Sequence, residues 1–157
     1  MRKRVFTLSV AAFLLLVFGA AEQASAQSAS GSIGNGTVSR GKTARAVVVL
    51  DIPAGLHTNS NRPGSEYAIP TTVRPSARGI TIGRVTYPPG RNKKLAFSET
   101  PLNVYTGKVR FPFNVTVPAN YRGSTISVNV AVRFQACTDE VCYAPRTQNI
   151  TLTANVR

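Results

Sequence analysis

Along much of this chain apolar and polar residues alternate strictly. Val109, Phe111, Phe113, Val115 and Val117 are interleaved with Arg110, Pro112, Asn114 and Thr116. Ile126, Val128, Val130, Val132 and Phe134 alternate with Ser127, Asn129, Ala131, Arg133 and Gln135, and residues 150–156 repeat the pattern. A period of two over such lengths predicts strands with one buried face. Residues 44–52 form a β-branched run, apolar on both faces at Val47, Val48, Val49 and Leu50, and residues 80–82 open a strand that continues towards Val85 and Tyr87. Pro112 lies on the outward set of its strand, which predicts an edge position, because proline cannot donate to a ladder. Helical periodicity is almost absent.

Turn-forming residues separate these runs: Pro53-Ala54-Gly55, Arg62-Pro63-Gly64, Pro88-Pro89-Gly90 and Pro118-Ala119-Asn120. Short strands punctuated in this way predict an all-β fold, an immunoglobulin-like antiparallel β-sandwich over residues 38–157. The Ser/Gly-rich stretch 27–37 (QSASGSIGNGT) is expected to be a flexible lead-in. Tryptophan is absent and the two cysteines are five positions apart, which excludes the disulfide joining the two sheets of an antibody domain.

The chain opens on Met1-Arg2-Lys3-Arg4, followed by an apolar run densest at residues 10–18 and by small residues ending Ala24-Ser25-Ala26. That order predicts a secretory signal peptide over 1–26, cut before Gln27. The apolar run is short for a membrane span, which takes about 20 residues, and no cysteine follows the cut to carry a lipid. The expectation is an exported, soluble, monomeric protein of one domain, large enough to bury a core without help from disulfides. The net charge is +13, of which residues 27–157 keep +11. The basic residues are scattered, and the one cluster, Arg91-Asn92-Lys93-Lys94, has no aromatic stacking platform. Nucleic acid is therefore not an expected partner.

The distinctive chemistry is Cys137-Thr138-Asp139-Glu140-Val141-Cys142, between the last two strong strands. In an exported protein such a pair is expected to be oxidised. A bridge closing about six residues stabilises by only about 2 kcal/mol, and a small-loop disulfide on an exposed hairpin is of the readily exchanged kind. A working pair and a structural clip both remain open on these grounds. A third reading uses Cys137, Cys142 and the chain's single histidine, His57, as zinc or copper ligands, but no fourth ligand is evident. One histidine and few acids, none in a nucleophile motif, exclude a hydrolase constellation.

Residues 132–145 (VRFQACTDEVCYAP) resemble the N-terminal domain of the thiol:disulfide interchange protein DsbD: a strand ending in an aromatic residue, Gln, a short residue and Cys, then a second Cys, an aromatic residue and proline. Residues 55–64 (GLHTNSNRPG) look like a loop of that family, and residues 79–90 and 95–117 look like its central strands. The resemblance covers roughly residues 44–155. It implies an immunoglobulin-like domain of the bacterial periplasm that needs no cofactor or metal. It further implies Cys137 and Cys142 as a redox pair of protein-disulfide reductase type. Such a pair takes electrons from a thioredoxin-like donor domain and passes them to periplasmic thiol–disulfide acceptors, including cytochrome c maturation proteins. It also implies a cap loop shielding the pair, corresponding to residues 97–103, with Phe97, Glu99 and Leu102 as candidates. Ordinary core packing is the alternative for Phe97.

The membrane segment and thioredoxin-like domain of the full-length family protein have no counterpart in this sequence, and four residues between the cysteines is a shorter spacing than in the best-known members. The expectation is a free-standing module reduced by a separate protein. The alternatives are an envelope adaptor with a structural disulfide, or a copper or zinc carrier. Asp139 and Glu140 are expected to disfavour the thiolate and so suppress stray reactivity.

Overall fold

The computed structural model describes residues 27–157, and the leader expected at 1–26 lies outside them. Twelve strands follow in order: β1 (Ser28–Ile33), β2 (Thr37–Val38), β3 (Thr43–Ile52), β4 (His57–Asn59), β5 (Thr72–Ser76), β6 (Thr81–Ile82), β7 (Arg91–Lys93), β8 (Leu102–Tyr105), β9 (Gly107–Thr116), β10 (Thr125–Phe134), β11 (Ala136–Cys137) and β12 (Arg146–Val156). Two four-stranded sheets, in the orders β1-β3-β9-β6 and β2-β12-β10-β5, enclose the main core. The fold is all-β and immunoglobulin-like, as expected from the alternation. Val48, Leu50, Phe111 and Val115 of the first sheet and Val128, Val130, Val132 and Leu152 of the second belong to one buried cluster.

A third, smaller sheet, β11-β4-β8-β7, stands at one end of the sandwich. Tyr105 of β8 ties it to the main core: its ring meets Phe111 edge-on at 5.8 Å, and its hydroxyl lies 2.9 Å from both Asn61 Oδ1 and the Pro88 carbonyl. Leu95, Leu102 and Val104 form a separate small cluster under this sheet. None of its strands exceeds four residues, too few for the alternation to announce them.

Two expectations are corrected. The stretch 27–37 is not a free lead-in, because Ser28–Ile33 pairs antiparallel with β3 along its whole length, from Ser28↔Asp51 to Ile33↔Ala46. Its glycine serves close approach rather than flexibility. A Cβ on Gly31 would stand 2.5 Å from the Val47 carbonyl oxygen and 3.0 Å from the Leu152 side chain, while Ala29 and Ile33 on the same face are buried. Second, β9 is not an edge strand, since it pairs with both β3 and β6. Pro112 is tolerated because its backbone faces the irregular residues 83–87, where its carbonyl accepts from Thr86 N–H at 2.8 Å. On the opposite side it pairs with Val47.

The Gly31 geometry yields a test of the lead-in correction. Gly31→Ala should destabilise the protein by about 1–3 kcal/mol, the usual cost of overpacking, measured by urea unfolding. In a mobile lead-in the same change would be neutral or slightly stabilising, through a restricted unfolded chain.

Candidate functional site

The cysteine segment is an excursion from one of the two ten-pair ladders among the described residues, the other being β3–β9. β10 and β12 pair from Thr125↔Asn155 to Phe134↔Arg146, and residues 135–145 project beyond that last pair. Ala136 and Cys137 pair with Thr58 and His57 of β4, and the chain then reverses. Thr138 N–H donates to the Val141 carbonyl at 2.8 Å, and Tyr143 N–H to the Ala136 carbonyl at 2.8 Å. Cys137 and Cys142 face each other between these two bonds, at a position where antiparallel strands approach most closely. Their Cα atoms are 4.0 Å apart and their sulfurs are bonded. Thr138 Oγ1 fixes the reversal by accepting from Glu140 N–H at 3.3 Å and Val141 N–H at 3.1 Å. Four residues between the cysteines is thus the length of one tight turn.

The two sulfurs have unequal surroundings. Cys137 is fully buried, whereas Cys142 is half-buried between the exposed side chains of Val141 and Tyr143. An open groove of about 800 Å³ runs beside the hairpin, lined among others by Pro53, Leu56, Phe134, Ala136, Tyr143 and Ala144. Under the hairpin, Gln135 Nε2 donates to the Tyr143 carbonyl at 3.0 Å, and its Oε1 accepts from Asn59 Nδ2 at 3.4 Å. Asn59 Nδ2 also donates to the Ile69 carbonyl at 3.0 Å, and Thr71 Oγ1 donates to the Asn59 carbonyl at 2.6 Å. β4 is therefore a strand of buried polar residues, His57, Thr58 and Asn59, with Ser60 buried after it. The region 55–64, expected as a loop, contains the strand against which the first cysteine is held.

His57 stands opposite Cys137 in this pairing, so both side chains project from the same face of the small sheet. The imidazole is 1% exposed, and neither ring nitrogen has a hydrogen-bond partner among the protein atoms. Asp139 approaches it, with Oδ1 3.8 Å from Nδ1. Burial pushes the imidazole below its ordinary value of 6.5, the Lys93 charge acts in the same direction, and Asp139 opposes them. The hydrogen bond from Lys93 Nζ to Asp139 Oδ1, 2.5 Å long, holds the carboxyl below its usual range. Asp139 is thus matched by a cation rather than left to repel a thiolate alone, while Glu140 is exposed on the turn.

The three cap candidates lie in or beside the loop between β7 and β8. That loop leans on the cysteine turn through Lys93–Asp139 and through Ala96 N–H, which donates to the Asp139 carbonyl at 3.4 Å. Phe97 is 44% exposed and so is not a core aromatic. Glu99 is exposed, and its carbonyl accepts from Lys94 Nζ. Leu102 is buried with Leu95 and Val104 beneath the loop. The sequence offers His57 as a possible metal ligand, Gln135 as part of the DsbD-like segment and Lys93 as part of a basic cluster, but gives Gln135 and Lys93 no role at the site. A buried lone histidine and a strand-end glutamine carry no periodic signal. Among the described residues, no group of three or more His, Cys, Asp and Glu is arranged to hold a metal ion.

The lowered imidazole has a consequence for stability. Between its depressed folded value and 6.5 the unfolded chain binds more protons, so stability rises with pH there. It should be full above about pH 6.5 and decline as the pH falls towards the folded value. With one histidine in the chain, His57→Gln should flatten this dependence between about pH 5 and 6.5, above the carboxylate range. Urea unfolding midpoints at several pH values read it out.

The site can be set against known proteins. A family model described as "Thiol:disulfide interchange protein DsbD, N-terminal" matches residues 31–154. Among solved structures, the chain is similar to the N-terminal periplasmic domain of ScsB from Proteus mirabilis, with TM-score 0.49 and 14% identity, over 81% of this chain and 44% of that one. It is also similar to the DsbD N-terminal domain of Neisseria meningitidis in the reduced form, with TM-score 0.46 and 17% identity, over 70% of this chain and 80% of that one. The chain therefore spans less than half of the ScsB chain. No curated protein sequence matches it. No helix among the described residues is long and apolar enough to cross a membrane. The family match takes in both sheets of the sandwich and the whole bridged hairpin, and on that ground this chain belongs to the family of DsbD N-terminal domains, a family of thiol–disulfide exchange.

Proposed function

We propose that this protein is a periplasmic electron-relay module, reduced by a thioredoxin-like donor and oxidised by periplasmic thiol–disulfide acceptors through Cys137 and Cys142. The observation that carries this reading is the unequal burial of one bridge: a fully buried Cys137 joined to a half-buried Cys142 at a hairpin tip. A donor thiolate attacks the accessible Cys142 sulfur and forms a mixed disulfide, and the bridge electrons pass to Cys137. The donor's second thiol then displaces Cys142, leaving the module with two thiols and the donor with a disulfide. Reversal of these steps on an acceptor returns the electrons.

Three features support it. The hairpin lies outside the two main sheets, whose buried faces supply the stability, so the bridge is free to open. Val141 and Tyr143 at the hairpin and Phe97 on the neighbouring loop are three of the four exposed large apolar side chains among the described residues, and such grouping marks contact surfaces. The groove beside Tyr143 extends that surface. Phe97 and Glu99 form the cap over the hairpin in this reading, and Leu102 anchors it from below.

If the bridge works rather than clips, the fold survives its loss. Replacing both cysteines with serine should cost no more than about 2–3 kcal/mol, read by thermal or urea unfolding. Cys137→Ser, which leaves Cys142 without a resolving partner, should accumulate mixed disulfides with thioredoxin-like proteins on non-reducing gels of the native envelope. Cys142→Ser should accumulate few. An absence of covalent partners in both variants, with failure of purified thioredoxin-like donors to reduce the wild type, would replace the relay with the structural-clip reading. Phe97→Ala should speed reduction by dithiothreitol by about threefold or more without a loss of fold, since a cap controls access to an exchangeable sulfur. An unchanged rate would remove Phe97 from the cap.

A further inference from the structure

A buried imidazole with no hydrogen-bond partner is costly and calls for an explanation. His57 is such a group, and it is paired with Cys137 across β4 and β11. In the oxidised state the facing sulfur carries no proton. Reduction creates one S–H group at that position, the donor that an imidazole nitrogen lacks. We propose that His57 is the acid–base partner of Cys137, taking the thiol proton when Cys137 closes onto Cys142 and returning it when the bridge opens. This rests on the exchange reading above and deepens it.

The balance on an acceptor disulfide runs in two steps. Cys142 thiolate attacks one acceptor sulfur, the acceptor bond breaks, and its second sulfur leaves as a thiolate that takes a proton from solvent. Cys137 then gives its proton to His57 and attacks the Cys142 sulfur. The mixed disulfide breaks, the first acceptor sulfur leaves, and the imidazolium proton passes to it or to solvent. The module ends oxidised by two electrons and short of two protons, and the acceptor has gained both. Without a base, the second step would need a bare thiolate at a fully buried sulfur, which desolvation opposes. The groups facing the imidazole fit the role. Asp139 from the turn stabilises a transient imidazolium, and Lys93 from β7 returns it to neutrality. On β8 the titratable Tyr105 is engaged elsewhere, with Asn61 and Pro88. The lowered imidazole pKa keeps the base free at neutral pH.

The closing step can be timed on the full protein without any biological partner. Reduced protein mixed with 5,5′-dithiobis(2-nitrobenzoate) releases one thionitrobenzoate as Cys142 is modified, and a second as Cys137 displaces the adduct. In the wild type the second phase should level off near neutral pH. In His57→Gln and His57→Phe it should slow by about tenfold or more relative to the first phase at pH 7, within the usual range for a general base. It should then climb with hydroxide across the whole range. A second phase with unchanged rate and pH profile in both variants overturns the proposal and leaves the relay reading standing, since that reading is decided by thioredoxin-like donors. If neither variant folds, NMR of the 13C-labelled imidazole in wild-type protein decides. His57 should titrate at a different pH in the reduced and oxidised forms, and identical titration in the two overturns the proposal.

Discussion

The β10–β12 ladder is the constraint from which the site is built. Its register runs unbroken from Thr125↔Asn155 to Phe134↔Arg146, and buried valines on β10 with Leu152 and Ala154 on β12 lock that register to the core. A slip by one residue would turn every one of those side chains to solvent. Because the last pair is fixed, so is the point from which residues 135–145 leave the sandwich, and so is the alignment of Ala136 and Cys137 with β4. The sulfur chemistry depends on hydrophobic burial five to twelve residues away along the same two strands, from Val132 before Cys137 to Ala154 after Cys142.

What the excursion meets is polar. Gln135, Asn59 and Thr71 bind one another and nearby carbonyls, with Asn59 Oδ1 left unpaired, and directional hydrogen bonds of this kind favour one arrangement where an apolar patch would permit several. They give the hairpin a rigid floor while its tip stays open to solvent. The inequality of the two sulfurs follows from this geometry. Cys137 sits on the floor side, in register with β4, and Cys142 sits on the returning arm between two exposed side chains. A bridge with one sheltered and one accessible sulfur has a built-in direction of attack.

The long strands were legible because burial on one face writes a period of two into the sequence. β9, β10 and β12 fall where the alternation placed them, with β12 beginning four residues earlier than expected, at Arg146, because residues 146–149 pair with β10 through the backbone but are all polar and carry no alternation. β1 was not legible, since its inward positions are filled by Ala29, Gly31 and Ile33, and a glycine chosen for close approach reads as flexibility. The third sheet was hidden for a different reason. β4, β7 and β11 are two or three residues long, and β4 buries polar side chains held by long-range hydrogen bonds that no local pattern records. Cys137 and Cys142 stood out by chemistry alone, while His57, Gln135 and Lys93 acquire meaning only through strand pairing and turn geometry.

The division of labour between core and hairpin bears on why so short a disulfide is present at all. A bridge spanning a single turn restricts the unfolded chain little, about 2 kcal/mol, and the turn is already held by Thr138 Oγ1 and two backbone hydrogen bonds. The bond is therefore largely redundant for shape. Redundancy is what an exchangeable pair requires: the two thiols must remain opposed after the bond opens, so that it closes again without a search. In this hairpin the non-bonded interactions supply that persistence. The strand pairing with β4 holds Cys137 in place, the Ala136–Tyr143 and Thr138–Val141 bonds bracket the pair, and the Lys93–Asp139 contact braces the turn from the neighbouring strand. Under the proposed relay the covalent bond can then open and close while these non-bonded interactions keep the two sulfurs opposed.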